Sequence, residues 1–253
     1  MEQQRKKERI IFFAIVAIGA LMLGFSDKIF SNYFKEVYNV TALQRGFIEF
    51  PRELPGILCV FIIGGLSFLG DIKTAIIAQV LSIIGVLLMG FFTPAFNSVG
   101  MHMFMPLQEG IGIHLAEKDN LGARMGQYKG ISIAFSMVGS TIVFIGFRTG
   151  FFAFDTPVKL ILLLSAILGV IVLLLLLYLN KKIVEKIPIP TSGFIFRKEY
   201  IYYYILATMQ GAQKQIMFVF GPWVLIDILG KRADTLAVLG IIGSFIGMFF
   251  TPK

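Results

Sequence analysis

The sequence predicts an all-α protein, a polytopic bundle of helices that crosses a lipid bilayer. Of its 253 residues, 57% are hydrophobic, and the mean hydropathy is +0.81. A soluble core cannot use that much apolar surface, and the apolar runs reach the roughly 20 residues that a membrane-spanning helix needs. The single cysteine, Cys59, lies inside one of these runs and excludes a disulfide framework.

Polar turns divide the chain into eight predicted helices. The basic segment MEQQRKKER precedes the first one, which has no convincing cleavage site and is interpreted as an uncleaved span. A connection over 31–40 leads to Thr41, the predicted N-cap of helix two, and 71–73 forms a polar turn. Gly221 and Pro222 are expected to break helix seven. The predicted spans are residues 10–30, 41–70, 74–92, 101–116, 125–147, 157–180, 200–229 and 236–251.

Segment 181–198, KKIVEKIPIPTSGFIFRK, is the longest polar stretch and is interpreted as a cytoplasmic central linker. It separates a predicted N-terminal six-helix bundle, 1–180, from the start of a C-terminal bundle, 199–253. An even number of spans places both ends of the chain on one side. Lys and Arg are more frequent in the loops on that side, so the N-terminus is predicted to be cytoplasmic in a cell membrane.

Ionisable residues cluster at the head of helix two, in RGFIEFPRELPG, residues 45–56. Arg45, Glu49 and Arg52 are spaced so that opposite charges can meet on one helix face, and Glu53 is adjacent. Charged groups inside a membrane helix are costly and usually mark a pathway or a wet cavity. The alternative is a salt-bridged cluster near the water interface that only helps two helices to pack.

Helices four and seven also carry polar groups within their spans. Glu109 and His114 lie in helix four, and Gln213 and Lys214 belong to one polar stripe of helix seven. Helices three and six are expected to be apolar on every face, and this alternation predicts a cavity-lined bundle of three-helix repeats. Two alternatives stay open, namely that Glu109 and His114 only hydrogen-bond neighbouring helices, and that His102 is structural.

Six helices, a basic central loop and then further helices make an arrangement that resembles the major facilitator superfamily of secondary transporters. The family's signature between helices two and three reads Gly-x-x-x-Asp-Arg/Lys-x-Gly-x-Arg/Lys. Here SFLGDIKTAI keeps Asp71, has Ser67 in place of the glycine and offers Lys73 one position late. RMGQYKG, which begins at Arg124, looks like the family's Arg-and-Gly start of helix five.

Two glycines of helix five, Gly130 and Gly139, match the spacing of the first two glycines of the family's antiporter motif. The Gly-Pro that follows in that motif is missing, so antiport is not inferred. Members of the family have about twelve helices, and this chain has eight, so it is expected to be a truncated reading frame, a fragment or a chain that needs another to complete it.

The resemblance implies a substrate path between two six-helix halves that rock about a midplane site, commonly driven by a proton. The expected substrate contacts are Glu109, Gln213 and Lys214. The expected proton or ion-pair groups are Glu49 and Glu53, with Arg52 as their partner. The predicted gate or cytoplasmic-loop residues are Asp71, Lys73 and Arg124.

Other functions give different expectations. DNLGAR partly resembles the start of the motif of phosphatidyl-alcohol transferases, but the aspartates that would hold metal downstream are missing, so no enzymatic activity, metal or cofactor is expected. The alternative is a non-transporting truncated membrane protein with a structural or regulatory role, which the short length favours. The expected partners are the lipid bilayer, a small-molecule solute and protons, without nucleic acid.

Overall fold

The chain is helical throughout the part described by a computed structural model, residues 2–91, 98–116, 120–155, 159–182 and 197–250. The predicted all-α class is confirmed for these residues. Five of these helices, α1, α2, α3, α5 and α6, are long and apolar enough to cross a membrane, as expected of a multi-pass membrane protein. The helices are α1 (Glu2–Tyr38), α2 (Ala42–Leu66), α3 (Asp71–Phe91), α4 (Ser98–Leu115), α5 (Leu121–Arg148), α6 (Leu160–Lys182), α7 (Ile201–Trp223) and α8 (Ala233–Phe250).

The predicted connection over 31–40 is wrong, because α1 continues to Tyr38. Tyr33 and Phe34 are fully buried, and the Tyr33 hydroxyl donates a hydrogen bond to the carbonyl of Met89 at the end of α3, 2.7 Å away. Packing therefore extends the helix beyond its apolar run. Thr41 caps α2 as predicted, since its hydroxyl accepts from the backbone N–H of Gln44.

The turn between α2 and α3 lies earlier than the predicted 71–73, which is part of α3. A short 3-10 turn, Ser67–Leu69, is followed by Gly70 at a φ of 79°. Glycine adopts this conformation without the steric cost that other residues meet, so the chain reverses at Gly70. Asp71 then starts α3, where a carboxylate is favourable beside the positive end of the helix dipole.

Helix α1 lies at the centre of the bundle and packs against α5 and α6. Its closest approach to α5 is at Gly24 and Gly139. A Cβ on Gly24 would lie 3.0 Å from the carbonyl oxygen of Ser136, and one on Gly139 would lie 3.0 Å from that of Leu21. Helix α3 packs between α4 and α6, α2 packs on α4, and α8 packs on α5.

The expectation that helices three and six are apolar on every face is wrong for the side chains at their mutual contact. Gln79 of α3 is 2% exposed and donates to the carbonyl of Gly169 in α6, 3.1 Å away. Ser165 of α6 is also buried and donates to the carbonyl of Met22 in α1 at 3.3 Å. These bonds join the three helices in the middle of the bundle and satisfy the buried polar groups.

The predicted break at Gly221 and Pro222 is also wrong, because α7 continues to Trp223 and then into a π-helical turn, Val224–Ile228. Trp223 is buried against Phe34, which anchors this end of α7 to the bundle. Over 201–218 almost every described side chain of α7 is exposed. Most of the predicted linker, 183–196, lies outside the described residues.

Candidate functional site

A cavity of about 130 Å³ lies among α1, α3, α4 and α5, and it is the strongest candidate site in the described part of the chain. One part of its wall is apolar and rich in methionine and phenylalanine. The other part is polar and carries both signs of charge. The apolar residues include Phe12, Met22, Met101, Phe104, Met105 and Met125, and the polar residues are Gln79, Ser82, Gln108, Glu109, Tyr128, Lys129 and Ser132.

Glycines shape the space around this cavity. Gly19 of α1 faces Gln108 and Phe104, and a Cβ there would lie 3.9 Å from each. Gly112 lets α4 approach the rings of Phe12 and Tyr128, which a Cβ would meet at 3.1 and 3.3 Å. The helices therefore pack closely around Phe12, in the N-terminal part of α1, and leave room beside Gln108.

Two opposite charges line the cavity without neutralising each other. Glu109 projects from α4 and Lys129 from α5, and both side chains are exposed. Within the described part of the chain, neither side chain makes a hydrogen bond or an ion pair within 4.0 Å. Each charge is thus available to a solute that enters the cavity.

Tyr128 provides a third polar group. Its side chain is 4% exposed, and its ring packs edge-on against Phe12 at 4.9 Å and at a tilt against Phe13 at 4.8 Å. The hydroxyl is buried and has no hydrogen-bond partner among the described residues. A buried hydroxyl without a partner is unfavourable, so water or a solute in the cavity would stabilise it.

The ionisable cluster of α2 contacts other helices and lies apart from this cavity. Glu49 pairs with Arg45, as its spacing predicts, and Arg45 is 2% exposed. The guanidinium lies over the rings of Phe30 and Phe34, at 5.6 and 5.2 Å from their centroids. This pair packs α2 against α1, which is the arrangement that the alternative interpretation of the cluster describes.

Glu53 meets His102, for which the sequence leaves a structural role open. Its carboxylate lies 3.5 Å from Nε2 of His102 in α4, and His102 sits against Gly56, where a Cβ would lie 3.2 Å from Nδ1. Sequence spacing could not reveal this pair, because it joins two helices. The side chain of Arg52 lies outside the described residues.

The predicted gate residues, Asp71, Lys73 and Arg124, have different surroundings. Asp71 lies beside α4, since a Cβ on Gly110 would be 3.4 Å from its Oδ2. Lys73 is exposed. Arg124 donates a hydrogen bond to Gln127 within α5, 2.9 Å away.

Gln213 and Lys214 lie on the exposed part of α7, and the structure does not bring them to the cavity. The Lys214 ammonium instead lies 5.6 Å from the ring centroid of Phe218, one turn along the same helix. Of the predicted substrate contacts, only Glu109 lines the cavity. Lys129, Tyr128 and Gln79 were not predicted, because nothing in the spacing of a single helix shows which face meets its neighbours.

Charged contacts also join the far end of α1 and α5 to the region of α7 and α8. Lys35 pairs with Asp227 at 2.5 Å, and its ammonium lies 5.9 Å from the ring centroid of Trp223. Arg148 lies 3.8 Å from Asp234. The helices that follow the predicted linker therefore contact the first six through charges at one end of the bundle.

Comparisons with known protein families and curated proteins identify no relative of this chain. No protein-family model matches the chain, and no curated protein matches it. Among the described residues, no group of three or more His, Cys, Asp or Glu side chains could hold a metal ion.

Proposed function

We propose that this chain acts as a membrane secondary transporter that moves a small solute by alternating access, with proton coupling and a fold like that of the major facilitator superfamily. The observation that carries the proposal is the cavity among α1, α3, α4 and α5 with its unpaired Glu109 and Lys129. Charges are costly in a membrane bundle and are retained where a solute or ion passes.

The contacts between α5 and α8 support the same proposal. Alternating access requires one group of helices to rock against another around a central site. Here α8, which follows the predicted linker, packs on α5, and Lys35 and Arg148 pair with Asp227 and Asp234 where α1 and α5 end. Contacts of this kind at one end of a bundle would open and close as the two groups of helices move.

Proton coupling is assigned to the carboxylates of α2. Glu53 and His102 form a contact in which His102 is charged only when it is protonated, and Glu49 pairs with a buried arginine. A change of protonation at the Glu53–His102 pair would alter how α2 sits on α4. Because α4 also carries Glu109, this movement would reach the cavity.

The test uses the whole chain in liposomes that enclose a pH-sensitive dye. Solutes of different charge classes are added outside under an imposed pH gradient, and solute-dependent proton movement is measured. Glu109→Gln should abolish it, whereas Glu199→Gln, at an exposed position before α7, should leave it unchanged. Uptake with no pH dependence would remove the coupling, and no flux of any solute would contradict transport.

A non-transporting structural or regulatory membrane protein is the second candidate. The exposed α7 favours it, since a helix with so few contacts suits assembly with other membrane helices. For this function, the liposome assay should show a folded, inserted protein without solute flux.

A further inference from the structure

The two charges of the cavity select the chemistry of its ligand. A cationic solute would neutralise Glu109 and leave Lys129 without a partner, and an anionic solute would do the reverse. Since neither charge has a partner among the described residues, a ligand that carries both charges gains two ion pairs where a singly charged ligand gains one, and it is favoured over either. The lysine and glutamate come from different helices, α5 and α4, so they can meet opposite ends of one headgroup.

The neutral polar groups add hydrogen bonds beside these charges. Gln108 precedes Glu109 in α4 and Tyr128 precedes Lys129 in α5, and all four residues line the cavity; the Tyr128 hydroxyl is buried without a partner among the described residues. A carboxylate accepts from an ammonium and from a hydroxyl, and an ammonium donates to a carboxylate and to an amide oxygen. The same neighbourhood thus offers partners to both ends of a zwitterion.

The apolar wall limits the rest of the ligand. Its apolar lining includes Phe104, Met101 and Met105 of α4 and Met22 of α1. The whole cavity, of about 130 Å³, is close in size to an apolar cavity of about 150 Å³ that holds one benzene molecule, and its charged side is exposed, so a small solute with a side chain of a few carbon atoms is favoured. Methionines adapt to side chains of slightly different shape.

We infer that the cavity binds a small zwitterionic solute with an apolar side chain, such as an aliphatic amino acid, whose ammonium pairs with Glu109 and whose carboxylate pairs with Lys129. The inference rests on the proposed function in that it assigns a substrate class to the same cavity. Binding itself, however, requires only the folded cavity and no movement of the helices.

The first experiment measures binding to the whole purified chain in lipid nanodiscs, with three probes. L-Leucine carries both charges, N-acetyl-L-leucine lacks the ammonium, and L-leucine methyl ester lacks the carboxylate. We expect L-leucine to bind about tenfold or more tightly than either analogue, because each analogue leaves one protein charge unpaired. Equal affinities for the three probes, or no binding of L-leucine, would overturn the inference.

The second experiment measures the same affinities in variants that each lack one of the two charges of the cavity. Glu109→Gln should lower L-leucine affinity about tenfold and remove the preference over N-acetyl-L-leucine, and Lys129→Gln should remove the preference over the methyl ester. Tyr128→Phe should lower the affinity for L-leucine by a smaller factor than Glu109→Gln does. Glu199→Gln and Lys182→Gln are matched controls at exposed positions away from the cavity. If Glu109→Gln does not fold, Lys129→Gln performs the test from the carboxylate side.

The two experiments distinguish a failure of the ligand assignment from a failure of the transporter proposal. Selective L-leucine binding without flux in liposomes would support the ligand class and reject the transporter proposal. Flux of another solute, together with no L-leucine binding, would support transport and overturn the zwitterion assignment. A preference for L-leucine that survives both Glu109→Gln and Lys129→Gln would place the ligand elsewhere and overturn the site.

Discussion

At the scale of single residues, the contact between Gly24 and Gly139 determines how closely α1 and α5 approach. Gly24→Ala would place a methyl group 3.0 Å from the backbone oxygen of Ser136, which cannot rotate away. We expect a loss of about 1–3 kcal/mol of stability, measured by thermal unfolding in detergent. Gly130→Ala is the control, since nothing described lies within 4 Å of its Cβ. Equal melting temperatures for Gly24→Ala and Gly130→Ala would show that α1 and α5 do not approach so closely at Gly24.

The buried pair of Arg45 and Glu49 tests which interpretation of the α2 cluster holds. Glu49→Gln removes a charged acceptor from a guanidinium that is 2% exposed, so we expect a loss of about 1.5–3 kcal/mol in stability. Glu53→Gln, whose contact with His102 is longer and more exposed, should cost less. Unchanged stability for Glu49→Gln would favour a pathway role over a packing role.

At the scale of elements, the crossing of α3 and α4 positions the cavity. A Cβ on Gly100 would lie 2.2 Å from the backbone nitrogen of Ser82, so Gly100→Ala must push the two helices apart. Since Ser82 and Met101 line the cavity, we expect this variant to lose both several kcal/mol of stability and L-leucine binding. Gly64→Ala in α2, where nothing described is near, is the control. If Gly100→Ala still binds L-leucine, the close crossing of α3 and α4 at Gly100 is contradicted.

The attachment of the π-helical turn to α1 is a second element-scale test. Lys35→Asp and Asp227→Lys should each lower stability, and the double variant should restore part of the loss, because the charges are exchanged. The pair is about one-third exposed, so a coupling of roughly 0.2–1 kcal/mol is expected from a double-mutant cycle. Additive single effects would show that the two helices do not meet there.

At the scale of the whole molecule, the predicted orientation makes opposite ends of the bundle accessible from opposite sides. Arg148 ends α5 and Lys182 ends α6, and both side chains are exposed. In a Cys59→Ser background, Arg148→Cys should react with an impermeant maleimide in intact cells, and Lys182→Cys only after the membrane is opened. The reverse pattern would place the N-terminus outside.

The sequence by itself determined the helical class, five of the eight predicted membrane-spanning runs in the described part of the chain, and local features within one helix. Long apolar runs, the Thr41 cap and the i,i+4 pair of Arg45 and Glu49 depend only on residues close along the chain, so composition and spacing sufficed. Helix ends were predicted less well. The end of α1 depends on Tyr33 bonding to Met89, and Trp223 keeps α7 helical through contact with Phe34.

Only the tertiary structure decided which polar residues share a site. Glu109 meets the same cavity as Lys129 and Tyr128 because three helices cross at glycines, and no spacing within one helix specifies those crossings. The same reason separates Lys214 from Glu109, although both were predicted to face one path. A helix pattern records which residues share its own face, whereas packing determines what that face contacts.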